Sequence, residues 1–117
     1  MIQTSMHVTI NNARERIEKG CATAEQASNA GNEGMVRLCA RRAAGVAIQH
    51  WLERNPHPDW GLDTMNRLRN LQREESIPQN VREAAKRLTE KVTAQFTPPS
   101  STDPIHDARI IIDQLLR

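Results

Sequence analysis

The apolar positions between residues 33 and 53 surround the full circumference of a predicted helix instead of marking one side of it. A helix on the surface of a bundle needs only one apolar stripe, whereas a helix that is apolar all round is buried on several sides. The pattern therefore predicts the central helix of a bundle, with apolar surface left over for a partner. Its apolar residues are Met35, Val36, Leu38, Cys39, Ala43, Val46 and Ala47 on one side, and Ala40, Ala44, Ile48, Trp51 and Leu52 on the other.

A first helix precedes it, with apolar or small residues at steps of three and four. Thr9 is its predicted N-cap and Gly31 its left-handed end, after which Asn32 caps the central helix. Residues 1–8 lack the periodicity and are predicted to fray, which leaves 9–117 as a single domain. The repeating positions are Ile10, Ala13, Ile17, Cys21, Ala24 and Ser28.

The chain beyond the central helix predicts two further helices. Prolines within Asn55–Pro58 end the central helix, and the spacing of three in Leu62, Met65, Leu68 and Leu71 predicts a short or irregular helix between 59 and 75. Ser76 and Gln79 have the form of a capping box. The helix that this box opens has an apolar face made of Val81, Ala84, Ala85, Leu88 and Val92, and Phe96 is predicted to close it.

A Pro/Ser/Thr linker over 97–102 precedes the last predicted helix, which Asp103 and Pro104 start as N-cap and first helical residue. Ile110 falls outside the apolar face of that helix, which suggests a partner. No segment alternates in the manner of a strand. The sequence thus predicts an all-α, up-and-down bundle of four to five helices. The inner face of the last helix comprises Ile105, Ala108, Ile112 and Leu115, widened by Ile111 and Leu116.

Composition narrows the class of protein. The 117 residues contain no run of 18 apolar residues and no charged-then-apolar leader, so we expect a soluble, cytoplasmic protein that has no membrane partner. Cys21 and Cys39 fall at apolar helical positions and are interpreted as buried, reduced thiols. The four histidines show no ligand spacing, so neither a metal nor a cofactor is predicted. They are His7, His50, His57 and His106.

Arginine dominates the basic residues, with 13 of the 16 positive charges and a net charge of only +2. Arg37 and Arg41 lie one turn apart on the central helix, where they either clamp a phosphate or form a solvated pair near Glu33. Arg42 falls beside Gln49 within apolar surroundings, and a buried charge needs a partner. An ion pair is the favoured interpretation, and a groove for an anionic ligand is the alternative. The candidate acids for that pair are Asp107 and Asp113.

His50 and Trp60 each allow a structural and a functional interpretation. His50 is either a core or interface histidine or, with the three arginines, part of a ligand site; no orienting partner for a general base is evident. Trp60 either plugs one end of the bundle or stacks on a base. The sequence therefore gives Arg37, Arg41, Arg42 and His50 as candidate ligand-binding residues and no catalytic residue.

Two segments resemble HEPN domains, which are small helical domains. Ala40–Leu52 is similar to their second helix, which has an Ala-Arg-x-Ala pattern followed by aliphatic residues, and Asp103–Arg109 is similar to the start of their last long helix. Helix order and length extend the resemblance over about residues 10–116. It implies a four- or five-helix bundle, often dimeric, that binds nucleotides or RNA and works beside a small nucleotidyltransferase.

Catalytic HEPN members are metal-independent RNases whose signature is an Arg, a polar residue and four to six further residues ending in His. Arg42 stands eight positions before His50, and Arg54 stands three before His57, so neither pair fits. The resemblance thus implies a non-catalytic member that binds a protein partner or an anionic ligand. We predict a homodimer formed through Met35–Leu52. The alternatives are an RNase with an atypical Arg42 and His50 arrangement, and a structural regulatory subunit of a toxin–antitoxin-like pair.

Overall fold

The computed structural model describes residues 2–90 and 103–117, with side chains from residue 12 onward. Five α-helices, one single-turn 3-10 helix and no strand make up these residues, which confirms the predicted all-α bundle. The 3-10 helix is Pro58–Trp60. The α-helices are α1 (Ile2–Asn29), α2 (Glu33–Arg54), α3 (Thr64–Leu71), α4 (Gln79–Thr89) and α5 (Pro104–Leu115).

Helix α2 is the centre of the bundle, as predicted. It packs along α1 on one side and α5 on another, and it also touches α3 and α4. Small residues allow this close approach: a Cβ atom placed on Gly45 would lie only 3.0 Å from the side chain of Thr64. The residues that α2 buries are Val36, Cys39, Ala40, Ala43, Ala44, Gly45, Ala47 and Ile48.

The turn between α1 and α2 follows the prediction closely. Gly31 has a φ of 75°, and its amide donates to the Ser28 carbonyl while the amide of Asn32 donates to Ala27, so α1 ends in a Schellman motif. The Asn32 side chain then accepts from the Met35 amide at 3.2 Å and caps α2. The start of α1 was predicted wrongly: the helix begins at Ile2, because no glycine or proline interrupts residues 2–8.

The capping box predicted at Ser76 is also wrong. Helix α4 begins at Gln79 with Pro78 in the N-cap position and no side-chain cap. Proline disfavours helical backbone in the residue before it, so Ile77 stays outside the helix and is buried instead. The Ser76 hydroxyl donates to the Glu74 carboxylate at 3.1 Å.

Helix α5 starts as predicted, with the Asp103 side chain accepting from the Ile105 amide at 3.0 Å. Ile110, which the sequence assigned to a partner, packs partly buried against the core, because α5 contacts both α2 and α4. Three sequence assignments lie outside the described residues: Val92, Phe96 and the linker 97–102.

The core contains both thiols. Cys21 and Cys39 are free and buried, as the sequence predicted, and burial raises the pKa of Cys21. None of the described helices combines the length and the apolar character that a membrane span requires.

Candidate functional site

Arg37 and Arg41, the predicted phosphate clamp, both donate to the last carbonyls of α4. Arg37 Nη1 lies 3.0 Å from the Arg87 oxygen and 3.2 Å from the Glu90 oxygen. Arg41 Nε lies 2.6 Å from the Leu88 oxygen. The final carbonyls of a helix have no partner within it, and these two guanidiniums supply one. A phosphate at this place would have to displace backbone acceptors.

Arg42 is exposed, so its predicted burial among apolar neighbours is wrong. Leu38 and Gln49, which fall on the same side of α2, are exposed as well. The buried Asp107 pairs instead with Arg87, whose Nη2 lies 2.9 Å from the Asp107 carboxylate. Hydrogen bonding to Asp107 raises the pKa of Arg87. The other candidate acid, Asp113, is exposed.

Exposed residues of α2 fall along one side of the helix, which we name the α2 stripe, with the half-buried Val46 between Arg42 and Gln49. Its apolar end is formed by Met35 and Leu38, which are 40% and 38% exposed. The Arg42 cation occupies the middle of the stripe, and the Glu53 carboxylate lies at its far end. The α2 stripe consists of Met35, Leu38, Arg42, Gln49 and Glu53, all classed as exposed.

Leu62 is connected to the α2 stripe through Arg67, which lines the same cavity and donates to Gln49. It is 89% exposed and lines a cavity of about 290 Å³ together with Leu52, Pro56 and Arg67. Arg67 is buried and links α2 to the segment before α3. It donates to the side chain of Gln49 and, at 2.9 Å, to the carbonyl of Gly61.

His50 lies between α1 and the carboxylate end of the α2 stripe, because its cleft is lined by residues of both. Its side chain is 11% exposed, and Nδ1 lies 3.8 Å from the Glu53 carboxylate. Among the described residues, Nδ1 has no hydrogen-bond partner. It lines a cleft of about 140 Å³ with Asn12 and Arg16. Arg42, the other residue of the RNase alternative, does not line this cleft.

Trp60 is 5% exposed and closes one end of the bundle. Its ring centroid lies 4.8 Å from that of His57 and 5.5 Å from that of Trp51, with all three rings stacked. His57 Nε2 approaches the Glu74 carboxylate at 3.5 Å. This burial agrees with the plug interpretation, since stacking on a base requires an accessible ring face.

Sequence reasoning missed Leu62 because it counted this residue within a helical repeat. A local signal was present: Asp63 is the N-cap of α3 and accepts from the Asn66 amide at 3.0 Å, so Leu62 precedes the helix. Gly61, with a φ of 70°, turns the chain just before it. Leu62 is thereby held on the surface and outside the core.

Comparison of the chain with protein-family models, with curated proteins and with solved structures found no match.

Proposed function

We propose that this protein is a non-catalytic helical binding module that works as a homodimer, in which the α2 stripes of two copies face each other. The observation that carries the proposal is the position of the exposed large hydrophobic residues. Met35, Leu38 and Leu62 are the large hydrophobic side chains exposed among the described residues. Met35 and Leu38 are neighbours on the α2 stripe, and Leu62 adjoins Arg67, which donates to Gln49 of the stripe. Contiguous exposed apolar residues such as Met35 and Leu38 are typical of interaction sites.

The α2 stripe is self-complementary in an antiparallel arrangement. A two-fold axis near its middle brings the Met35 and Leu38 end of one copy to the Leu62 end of the other. The same axis turns Arg42 of each copy toward Glu53 of the other; the two residues are 11 positions apart, or about 16 Å along a helix. Such two-fold interfaces use the same patch on both subunits.

Light scattering coupled to size exclusion tests the dimer. We expect twice the chain mass at micromolar concentration, and a shift to the single-chain mass in Leu38→Asp, because a carboxylate would be buried without a partner. Gln26→Asp adds the same charge to an exposed position on α1 and should leave the mass unchanged.

A charge exchange separates self-association from an indirect effect on folding. Arg42→Glu and Glu53→Arg should each weaken the dimer, because like charges then face each other, and the double variant should restore it. A wild-type protein that stays a single chain at these concentrations would refute the dimer. Kinship with HEPN domains, a nucleotidyltransferase-like partner and a regulatory role beside a toxin remain predictions.

A further inference from the structure

A second surface, remote in sequence from the α2 stripe, has the character of a small-molecule site. The outer face of α4 and the segment just after α3 border an open groove of about 410 Å³. Pockets for small molecules usually measure about 300–1,000 Å³. Every side chain that lines this groove is polar or charged, so its ligand must be polar. The lining residues are Gln72, Gln79, Arg82, Glu83 and Lys86.

The groove holds a buried donor without an acceptor. Arg82 Nε is inaccessible to solvent and has no hydrogen-bond partner in the described part of the chain. A buried polar group that lacks a partner is costly, and such groups in folded proteins usually have a protein, water or ligand partner. Lys86 lies one turn further along α4 on the same face. A ligand in the groove would meet both positive charges, and it would contact Arg82 through the Nη groups, because Nε has no accessible surface.

The groove also contains one carboxylate. Glu83 Oε1 accepts a hydrogen bond from Gln79 Nε2 at 3.0 Å. Gln72 is positioned by its own amide group, which donates to the Thr89 hydroxyl at 3.1 Å. The groove thus combines two cations and one carboxylate, a net positive charge, with two amide side chains that are each held by a hydrogen bond.

We infer that this groove binds the phosphate group of a small phosphorylated organic molecule. Arg82 and Lys86 hold the phosphate oxygens, since guanidinium and ammonium groups are the usual phosphate donors of proteins. Gln72 and Gln79 hydrogen-bond hydroxyl groups of the organic part, for which the volume leaves room. Arg37 and Arg41, the phosphate clamp predicted from the sequence, are less suited to bind phosphate, because their N–H groups already donate to backbone carbonyls.

Titration of ¹⁵N-labelled protein with sodium phosphate tests the site. We expect saturable shifts of the Arg82 Nε–H signal and of the Gln72 and Gln79 side-chain amides. Sodium chloride at equal ionic strength should cause none. Ribose 5-phosphate should bind at least as tightly as phosphate, whereas ribose should not bind. Equal responses to chloride and phosphate, or loss of binding when the ribose is attached, would overturn the inference.

Charge-matched variants distinguish a site from general attraction to a positive surface. Arg82→Gln and Lys86→Gln should each weaken phosphate binding by at least about tenfold, the loss of one charge-assisted hydrogen bond. Arg69→Gln and Lys19→Gln remove the same charges from exposed positions outside the groove and should change affinity less than twofold. An equal loss in both sets would contradict the inference. Because Lys86 is exposed, its variant remains informative even if Arg82→Gln fails to fold.

Discussion

At the scale of single residues, the abundance of arginine has a structural explanation. Five of the 13 arginines donate to backbone carbonyls, and the acceptors include the last carbonyls of α4 and α5. Short helices leave many terminal carbonyls without partners, and a guanidinium with five N–H donors satisfies several at once. The five are Arg14, Arg37, Arg41, Arg54 and Arg67.

The ion pair between Arg87 and Asp107 gives a residue-scale prediction. Asp107 is 4% exposed as a side chain, so Arg87→Met would leave its carboxylate buried without a countercharge. We expect the free energy of unfolding to fall by about 3 kcal/mol, measured by urea denaturation. The double variant Arg87→Met with Asp107→Leu should lose much less than the sum of the single variants. Additive losses would show that the two side chains do not interact.

The exposed pair of Arg109 and Glu18, at 2.7 Å, is the control. Arg109→Met should cost less than about 1 kcal/mol, because water screens this pair. A hydrogen bond from Arg109 lowers the pKa of Glu18. The pair's small contribution to the free energy of unfolding is therefore present at pH values above the ordinary pKa of glutamate. It is lost as the pH falls through the lowered pKa of Glu18. The variant should show a weaker acid dependence of stability than the wild type.

At the scale of elements, the helix ends are fixed by local chemistry. Gly31 stops α1, Asn32 and Asp103 cap α2 and α5, and Asp63 caps α3. Each cap depends on atoms within a few residues of the same chain segment. The exception is α4, whose first turn has no side-chain cap and whose last carbonyls depend on arginines from α2.

Two glycines close in sequence should respond oppositely to alanine. Gly31→Ala forces a side chain into left-handed backbone and should lower the free energy of unfolding by about 1 kcal/mol. Gly34 lies in the first turn of α2 with no close contact to a new Cβ atom, so Gly34→Ala should raise it by up to about 0.5 kcal/mol. Thermal and urea denaturation measure both. A loss of stability in both variants would contradict this assignment.

At the scale of the whole molecule, α2 organises the bundle through packing and through hydrogen bonds. Its buried face contacts each of the other four helices. Its arginines also hold the C-terminal end of α4 at a distance of about 50 positions in sequence. Burial, and to a smaller extent the Arg37 cation, lower the pKa of Arg41.

Removing that anchor should loosen one helix before the rest of the bundle. In Arg41→Met, the Leu88 carbonyl loses its 2.6 Å donor. We expect a loss of about 1.5 kcal/mol, the usual value of a hydrogen bond to a charged group, and faster amide exchange in the last turn of α4. Arg69→Met, at an exposed position, should cost less than about 0.5 kcal/mol. An unchanged rate of amide exchange in the last turn of α4 in Arg41→Met would show that Arg37 alone holds the C-terminal end of this helix.

The sequence could predict most of the fold but little of the candidate site. Side-chain partners are harder to predict: Asp107 is one of two candidate acids for Arg42, whereas its partner is Arg87. The groove lined by Arg82 and Lys86 was not anticipated, because Gln72 joins it from the end of another helix. A helical wheel gives the angular position of a side chain and does not say which neighbour covers that angle.

The sequence by itself determined the all-α class, the central place of α2 and the ends of helices set at Gly31, Asn32 and Asp103. These features follow from periodicity and from contacts within one turn of the chain. Only the tertiary structure decided that Arg42 is exposed, that Ile110 is covered and that Arg37 and Arg41 serve α4. Those outcomes depend on which helix lies against which face, and that choice is made by packing among segments distant in sequence.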